Sequence, residues 1–225
     1  MAETASRILL FALVAGASPV AIVSTLAALS SRRGHTNGLA LVAGFLLGQS
    51  VAFLAAFLVG SAAQPSLDAD DQIAAALELA VGLALLAIAW YERRRRPAGP
   101  SNGSRTKALL TRLKGLRPST SFTFGALLGV GGVKRLSITI VAGATVGVAD
   151  LVPAEELALG LLYVAVASIL VWLPVAVYLV AGAHADEWMA KAEDWLAANE
   201  RRITFGTTLL FGFLLTSDAL VRLFR

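Results

Sequence analysis

Long apolar stretches separated by short polar breaks dominate this chain. A helix needs ~20 residues to cross ~30 Å of hydrocarbon. Six stretches meet that length: about 7–29, 38–60, 73–91, 120–147, 154–181 and 203–224. The fourth and fifth exceed it, which predicts tilt, a break or an interfacial end. Ala15-Gly16-Ala17 resembles a signal-peptidase site. The preceding residues carry little positive charge, however, and the apolar run continues to Leu29, so a retained helix is expected.

Two further stretches are amphipathic. In RTKALLTRLKGLR (105–117), Leu109, Leu110, Leu113 and Leu116 share one helical face. That pattern fits a basic helix lying on anionic lipid, or a solvated basic linker. In HADEWMAKAEDWLAANE (184–200), Trp188, Ala192, Trp195 and Leu196 lie opposite Glu187, Lys191 and Asp194. It is too polar to span and reads as an interfacial helix, about 185–200, with its tryptophans at headgroup level.

Composition agrees with the pattern. The 225 residues are 57% hydrophobic and 15% charged, against ~45–50% and ~25% in soluble domains. An integral membrane protein follows. Cysteine is absent, which excludes disulfides, thiolate metal sites and thiol redox chemistry. The net charge of +4 is concentrated in particular loops, so no nucleic-acid partner is expected.

Those loops set the topology. Residues 30–37 carry Arg32 and Arg33, and residues 92–119 carry nine Lys/Arg against one Glu. Residues 61–72 carry Asp68, Asp70 and Asp71, and residues 148–156 carry Asp150, Glu155 and Glu156, with no cation in either. Basic and acidic loops alternate, so 30–37 and 92–119 are expected in the cytoplasm and both termini outside. Trp90-Tyr91 before Glu92 and Arg93–Arg96 fits an aromatic anchor at the inner face. Pro153, Glu155 and Glu156 form a normal helix start. The chain thus reads as one membrane domain: a first three-helix half (1–91), a basic cytoplasmic linker (92–119) and a second three-helix half (120–225). The linker holds a turn-rich segment, PAGPSNGS (97–104).

The halves show a weak repeat. FALVAGASPVAIVS (11–24) lies on FGALLGVGGVKRLS (124–137) without gaps, matching Phe11, Gly16, Val20 and Ser24 to identical residues. Three spans per half would make the halves inverted, an arrangement common in secondary transporters with sites at broken helices. Each matched helix has a weak point. Ala17-Ser18-Pro19 predicts a kink, because proline removes a donor and clashes with the preceding turn. In the other helix it is Gly129, Gly131 and Gly132. Gly44/Gly48, Gly125/Gly129 and Gly143/Gly147 also fit close helix packing.

Lys134 and Arg135 stand inside an apolar run. Each cation at a helix centre costs ~2.5–3.5 kcal/mol on the insertion scale. Intramembrane charges usually pair or line a polar path. Glu78, Asp218 and Lys134 all come out ~20–23 Å from the inner face at ~1.5 Å per residue, so helices three, four and six are expected to share a charged layer. A structural salt bridge and snorkelling outward are the other readings. Gln49 and Thr139 are weaker polar candidates. No nucleophile–base pair or metal spacing is present, so neither an enzyme nor a cofactor is expected.

The stretch ASPVAIVSTLAALSSRRGHTNGLALVAGFLLGQSVAF (17–53) resembles the opening of the glycopeptidolipid- and sulfolipid-addressing proteins. The shared features are Ser18-Pro19, Ser31-Arg32-Arg33, Asn37-Gly38 and Gly44 with Gly48. In the second half, Lys134 and Gly143 stand where that family has Asn-Pro-Lys and Ala-Gly. Gly132-Val133 replaces the Asn-Pro, and Ala21 stands where relatives often have a second proline.

The resemblance implies an all-α polytopic protein of the lysine-exporter superfamily, with six transmembrane helices as a 3+3 inverted repeat. It implies a place in the inner membrane of bacteria with lipid-rich envelopes, moving a glycolipid or peptidoglycolipid toward the surface. Membrane lipids, that exported substrate, a larger lipid exporter and a second copy of the chain are the expected partners. Small-solute or ion export, and an accessory role without a pathway, remain alternatives. The expected substrate or gate residues are Ser18, Pro19, Gly131, Gly132, Lys134, Arg135, Glu78 and Asp218. The breaks at Ser18-Pro19 and Gly131-Gly132 would face each other near the midplane.

Overall fold

The computed structural model describes residues 2–63 and 117–181, with isolated positions from 83 onward. Every regular element among the described residues is an α-helix: α1 (Ala2–Gly16), α2 (Pro19–Leu29), α3 (Gly34–Ala63), α4 (Pro118–Val130), α5 (Val133–Val148), α6 (Pro153–Ala167) and α7 (Ile169–Ala181). The stretches expected at 73–91 and 203–224, the body of the basic linker, the interfacial helix near 185–200, and Glu78 and Asp218 lie outside the described residues.

Among the described residues, α3 alone is long and apolar enough by itself to cross a membrane. The other three expected spans are bent pairs: α1–α2 by 62°, α4–α5 by 66° and α6–α7 by 69°. Each pair meets the same test when taken as one span, so the description supports one to four spans of the six expected.

Each break has a local cause. Ser18 is extended (φ −128°, ψ 104°) and Pro19 opens α2. The expected kink is therefore a restart: at the first helical position proline lacks only an N–H that would have no helical acceptor anyway. Between α4 and α5, Gly131 is extended and Gly132 has φ +91°, a conformation that suits glycine. Between α6 and α7, both the Ser168 hydroxyl (2.6 Å) and its N–H (3.1 Å) donate to the Val164 carbonyl. Such back-bonding bends helices. The Trp172 indole N–H donates to the Ala165 carbonyl at 2.9 Å, serving an acceptor at the turn. The excess length of residues 154–181 is thus a break.

All three breaks fall at one level of α3. One core cluster joins Phe11 and Ala15 of α1, Phe53 of α3, Ile138 of α5, and Tyr163 and Ala167 of α6. Another joins Ala21 of α2, Leu41 and Phe45 of α3, and Val171 of α7, with Phe124 and Leu128 of α4 against it. At each break the two helices therefore pack on opposite sides of Gln49: α1, α5 and α6 on the Phe53 side, and α2, α4 and α7 on the Phe45 side. Gln49 is at the middle of α3, about 22 Å from either end at ~1.5 Å per residue.

Glycine lets α3 approach α4 and α5 backbone to backbone. A methyl on Gly44 would overlap the Phe122 carbonyl, one on Gly48 the Ala126 carbonyl, and one on Gly129 the Phe45 carbonyl. Further along, methyls on Gly143 and Gly147 would meet the Phe53 and Phe57 carbonyls. The glycine pairs are close-packing sites, including Gly129, which the sequence left between packing and loosening. These approaches advance together, so α3 and the α4–α5 pair run in the same direction. The clusters make α1–α2 and α6–α7 run the opposite way.

Leu47, Val51, Leu54 and Leu58 form an exposed apolar stripe on α3 at helical spacing, and Leu127, Leu157, Leu161 and Val180 add to the apolar exterior. A bundle that shows large aliphatic side chains outward and buries polar ones such as Gln49, Thr139 and Ser168 is matched to lipid.

Two glycines give a contrasting prediction. Gly44→Ala forces backbone apart and should destabilise the protein by about 2–3 kcal/mol. Gly132→Ala meets no neighbouring atom, so only backbone strain of about 1–2 kcal/mol opposes it. Thermal unfolding in a neutral detergent should rank wild type, then Gly132→Ala, then Gly44→Ala. A Gly44→Ala protein as stable as wild type would contradict the close α3–α4 packing.

Candidate functional site

Three helices place polar side chains at the level of the breaks. Gln49 comes from the middle of α3. Arg135 and Thr139, one turn apart, come from the start of α5, and Tyr163 from α6. Gln49 and Tyr163 are fully buried, Thr139 is 1% exposed and Arg135 5% exposed. Phe45 and Phe53, one turn either side of Gln49, complete the layer.

Thr139 is its joint. A hydroxyl has one proton and two lone pairs. Thr139 Oγ1 donates to the Arg135 carbonyl at 2.8 Å, in the usual helical back-bond. It accepts from Gln49 Nε2 at 2.9 Å. With its proton used, the 2.8 Å contact to Tyr163 is filled by the phenol donating. The Tyr163 ring stacks on Phe53 with centroids 5.0 Å apart and planes at 28°.

Arg135 is not satisfied in the same way. Its guanidinium carbon lies 4.5 Å from the Phe45 ring centre. Both terminal nitrogens are buried without a hydrogen-bond partner among the described residues, and so is Gln49 Oε1. A desolvated cation–π contact contributes ~2 kcal/mol, against ~2.5–3.5 kcal/mol for the cation at membrane depth. Each unmatched buried donor adds ~1–3 kcal/mol. The ring alone leaves the charge short of compensation.

The helix adds to the imbalance. Arg135 is the third residue of α5, whose first helical bond runs from the Leu136 N–H to the Gly132 carbonyl at 2.9 Å. The start of α5 has no side-chain cap and no acidic residue in its first turn. It is therefore the positive end of an uncapped dipole, with a buried cation beside it. Negative charge is stabilised at such a place.

Of the residues expected to form the site, Ser18 and Pro19 form the first break and Gly131 and Gly132 the second. The structure sets the first break against the third: a methyl on Gly16 would lie 3.2 Å from the Ala167 carbonyl oxygen and 3.3 Å from that of Val166. Arg135 enters the buried layer. Lys134 is in the first turn of α5, and its side chain lies outside the described residues, as do Glu78 and Asp218. Gln49 and Thr139, the weaker candidates, are bonded to each other. Sequence reading missed Tyr163 and Phe45. A phenol ten residues into an apolar span was one usable signal, and a ring four residues before Gln49 was another.

The hydrogen-bond order predicts unequal losses. Thr139→Val removes the partner that the Gln49 amide and the Tyr163 hydroxyl share and should cost about 2–4 kcal/mol. Tyr163→Phe removes one donor and should cost about 1 kcal/mol. Equilibrium unfolding of both variants checks this, and the reverse order would refute Thr139 as the joint.

Neither a curated protein nor a solved structure matches the chain. The profile of one family, Sap, the sulfolipid-1-addressing protein, matches residues 8–220. That range takes in all seven helices except the first turns of α1 and agrees with the resemblance carried by Ser18-Pro19, Asn37-Gly38 and the glycine pairs. On that match, this helical membrane protein belongs to the sulfolipid-1-addressing protein family.

Proposed function

We propose that this protein moves or addresses an envelope lipid, a glycolipid or peptidoglycolipid, from the inner membrane of a bacterium toward the cell surface, and that it does so without catalysing a reaction. The observation that carries the proposal is the alignment of three interrupted helices with one buried polar layer at the middle of α3. Interrupted backbone within a bilayer is tolerated where protein shelters it or where it lines a cavity, and transporters place their sites at such helices. The family name joins this architecture to lipid.

The proposed topology is six spans, multi-pass, with residues 30–37 and 92–119 cytoplasmic and both termini outside. Two features support it. Both α3 and α4 start directly after basic residues, Arg32-Arg33 and Arg117, and they run in the same direction. The matched segments 11–24 and 124–137 break at aligned places and run in opposite directions, as inverted halves of a lysine-exporter-type protein would. A larger lipid exporter or a second copy of the chain would be the protein partner.

A second reading, export of a small solute or ion, is favoured by one feature. The Gln49–Thr139–Tyr163 layer is closed to the outside, which suits a small polar cargo better than acyl chains. An accessory subunit is the third reading, and copurification with a larger exporter, without transport by the protein alone, would mark it.

The test compares surface-extracted and cell-retained lipids in a strain lacking the gene and in the same strain with the gene restored. The expected result is one envelope lipid depleted at the surface and accumulated inside, with both changes reversed on restoration. Matching profiles would reject lipid addressing, and solute flux in proteoliposomes would then be the assay.

A further inference from the structure

We infer that Arg135 and the start of α5 form an internal binding site for one singly charged oxyanion, such as a sulfate ester or a phosphodiester. The inference deepens the lipid-addressing reading and rests on it for the identity of the cargo, though not for the existence of the site. Four observations meet here. Arg135 is 95% removed from solvent. Its two terminal nitrogens, the fork that matches two oxygens of one anion, have no hydrogen-bond partner among the described residues. The guanidinium rests on the Phe45 ring, and the Phe45 carbonyl is the atom a methyl on Gly129 would strike. The cation thus leans back along α5 toward the break, as helical side chains do, and the uncapped N–H groups of α5 begin there.

The neighbouring amide completes the chemistry. Gln49 donates its Nε2 to Thr139 and leaves Oε1 buried without a partner. Turning the amide over lets Oε1 accept from Thr139 and frees the NH2 group to donate toward an anion. Thr139 can change partner because its hydroxyl both donates and accepts. One positive charge and one helix end balance a single negative charge. A zwitterionic headgroup would bring a second cation into the layer and be repelled.

The experiment uses the full chain in a neutral maltoside detergent. Binding of dihexanoyl phosphatidylglycerol, a phosphodiester with one net charge, is compared with that of zwitterionic dihexanoyl phosphatidylcholine by calorimetry. Wild type should prefer the anionic lipid at least tenfold. Arg135→Met should lose that preference, and Arg135→Lys, which keeps the charge but not the fork, should retain only part of it. If Arg135→Met does not fold, Arg135→Lys still tests the fork, since an undiminished preference would overturn its role. Equal binding of the two lipids by wild type overturns the site. So does an undiminished preference in Arg135→Met. Competition with inorganic sulfate separates two sources of the same chemistry. Displacement supports a site open to the free anion, and its absence supports an oxyanion carried on lipid. A tenfold preference with unchanged lipid profiles would keep the site and reject lipid addressing, whereas altered profiles with no preference would do the reverse.

Discussion

Backbone groups in an apolar interior have no water to turn to, and three helix pairs of this protein are interrupted inside the bundle. An interruption frees carbonyl and N–H groups that cost several kcal/mol each if left in hydrocarbon. The protein meets this by sheltering the breaks around one continuous helix and supplying local partners. Ser168 and the Trp172 indole serve carbonyls at the third break. Ser18 accepts from Ala21 and Ile22 through its carbonyl at the first. Interruptions placed at different levels would each need separate cover, whereas gathered at one level they share the same neighbours.

That arrangement makes α3 the scaffold, and close approach makes it rigid. Where Gly44, Gly48 and Gly129 bring α3 and α4 together, dispersion between backbones replaces the side-chain interdigitation of soluble cores. Lipid tails are as apolar as leucine, so burial of aliphatic groups adds little to association, and packing density has to supply it. Beyond the break, Gly143 and Gly147 repeat the device on α5. The α4–α5 pair is held along α3 on both sides of its bend. The other two pairs, α1–α2 and α6–α7, meet each other at their breaks through Gly16 and have no such double row of glycines.

Much of this was legible in the sequence, for reasons that differ by residue. Apolar length located α3 and the three bent pairs. The steric rules for proline and glycine located the breaks at Ser18-Pro19 and Gly131-Gly132. The bend expected at Pro19 is present, but its form was not legible, because a proline between two apolar runs is compatible with kinking one helix or with starting a second, and only the extended Ser18 before it decides. The break at Ser168 was less legible: a serine in a helix bends the chain only when its hydroxyl bonds the preceding turn, which is a rotamer choice. In the site, charge pointed to Arg135 because a buried cation is costly in any context. Tyr163 and Phe45 escaped because aromatic residues are ordinary in apolar spans. Their role depends on which face of α6 and α3 meets α5, and that is a matter of packing. The expected charged layer involves Glu78 and Asp218, outside the described residues, and no spacing rule in the sequence tells which helices face one another.

Arg135 shows how the two constraints meet. A cation is poorly placed at the amino-terminal end of a helix, where the dipole already carries partial positive charge, and poorly placed again in an apolar interior. Packing alone would favour leucine or methionine at that position, as buried ionic groups are often replaceable without loss of stability. The protein instead supplies one partial support, the Phe45 ring beneath the guanidinium, which holds the charge without neutralising it. A layer built this way has its electrostatic minimum when a negative group is present, so occupancy by an anion and the local arrangement of α5 are linked. Any group that binds there stabilises the bent α4–α5 pair relative to arrangements that disperse the site.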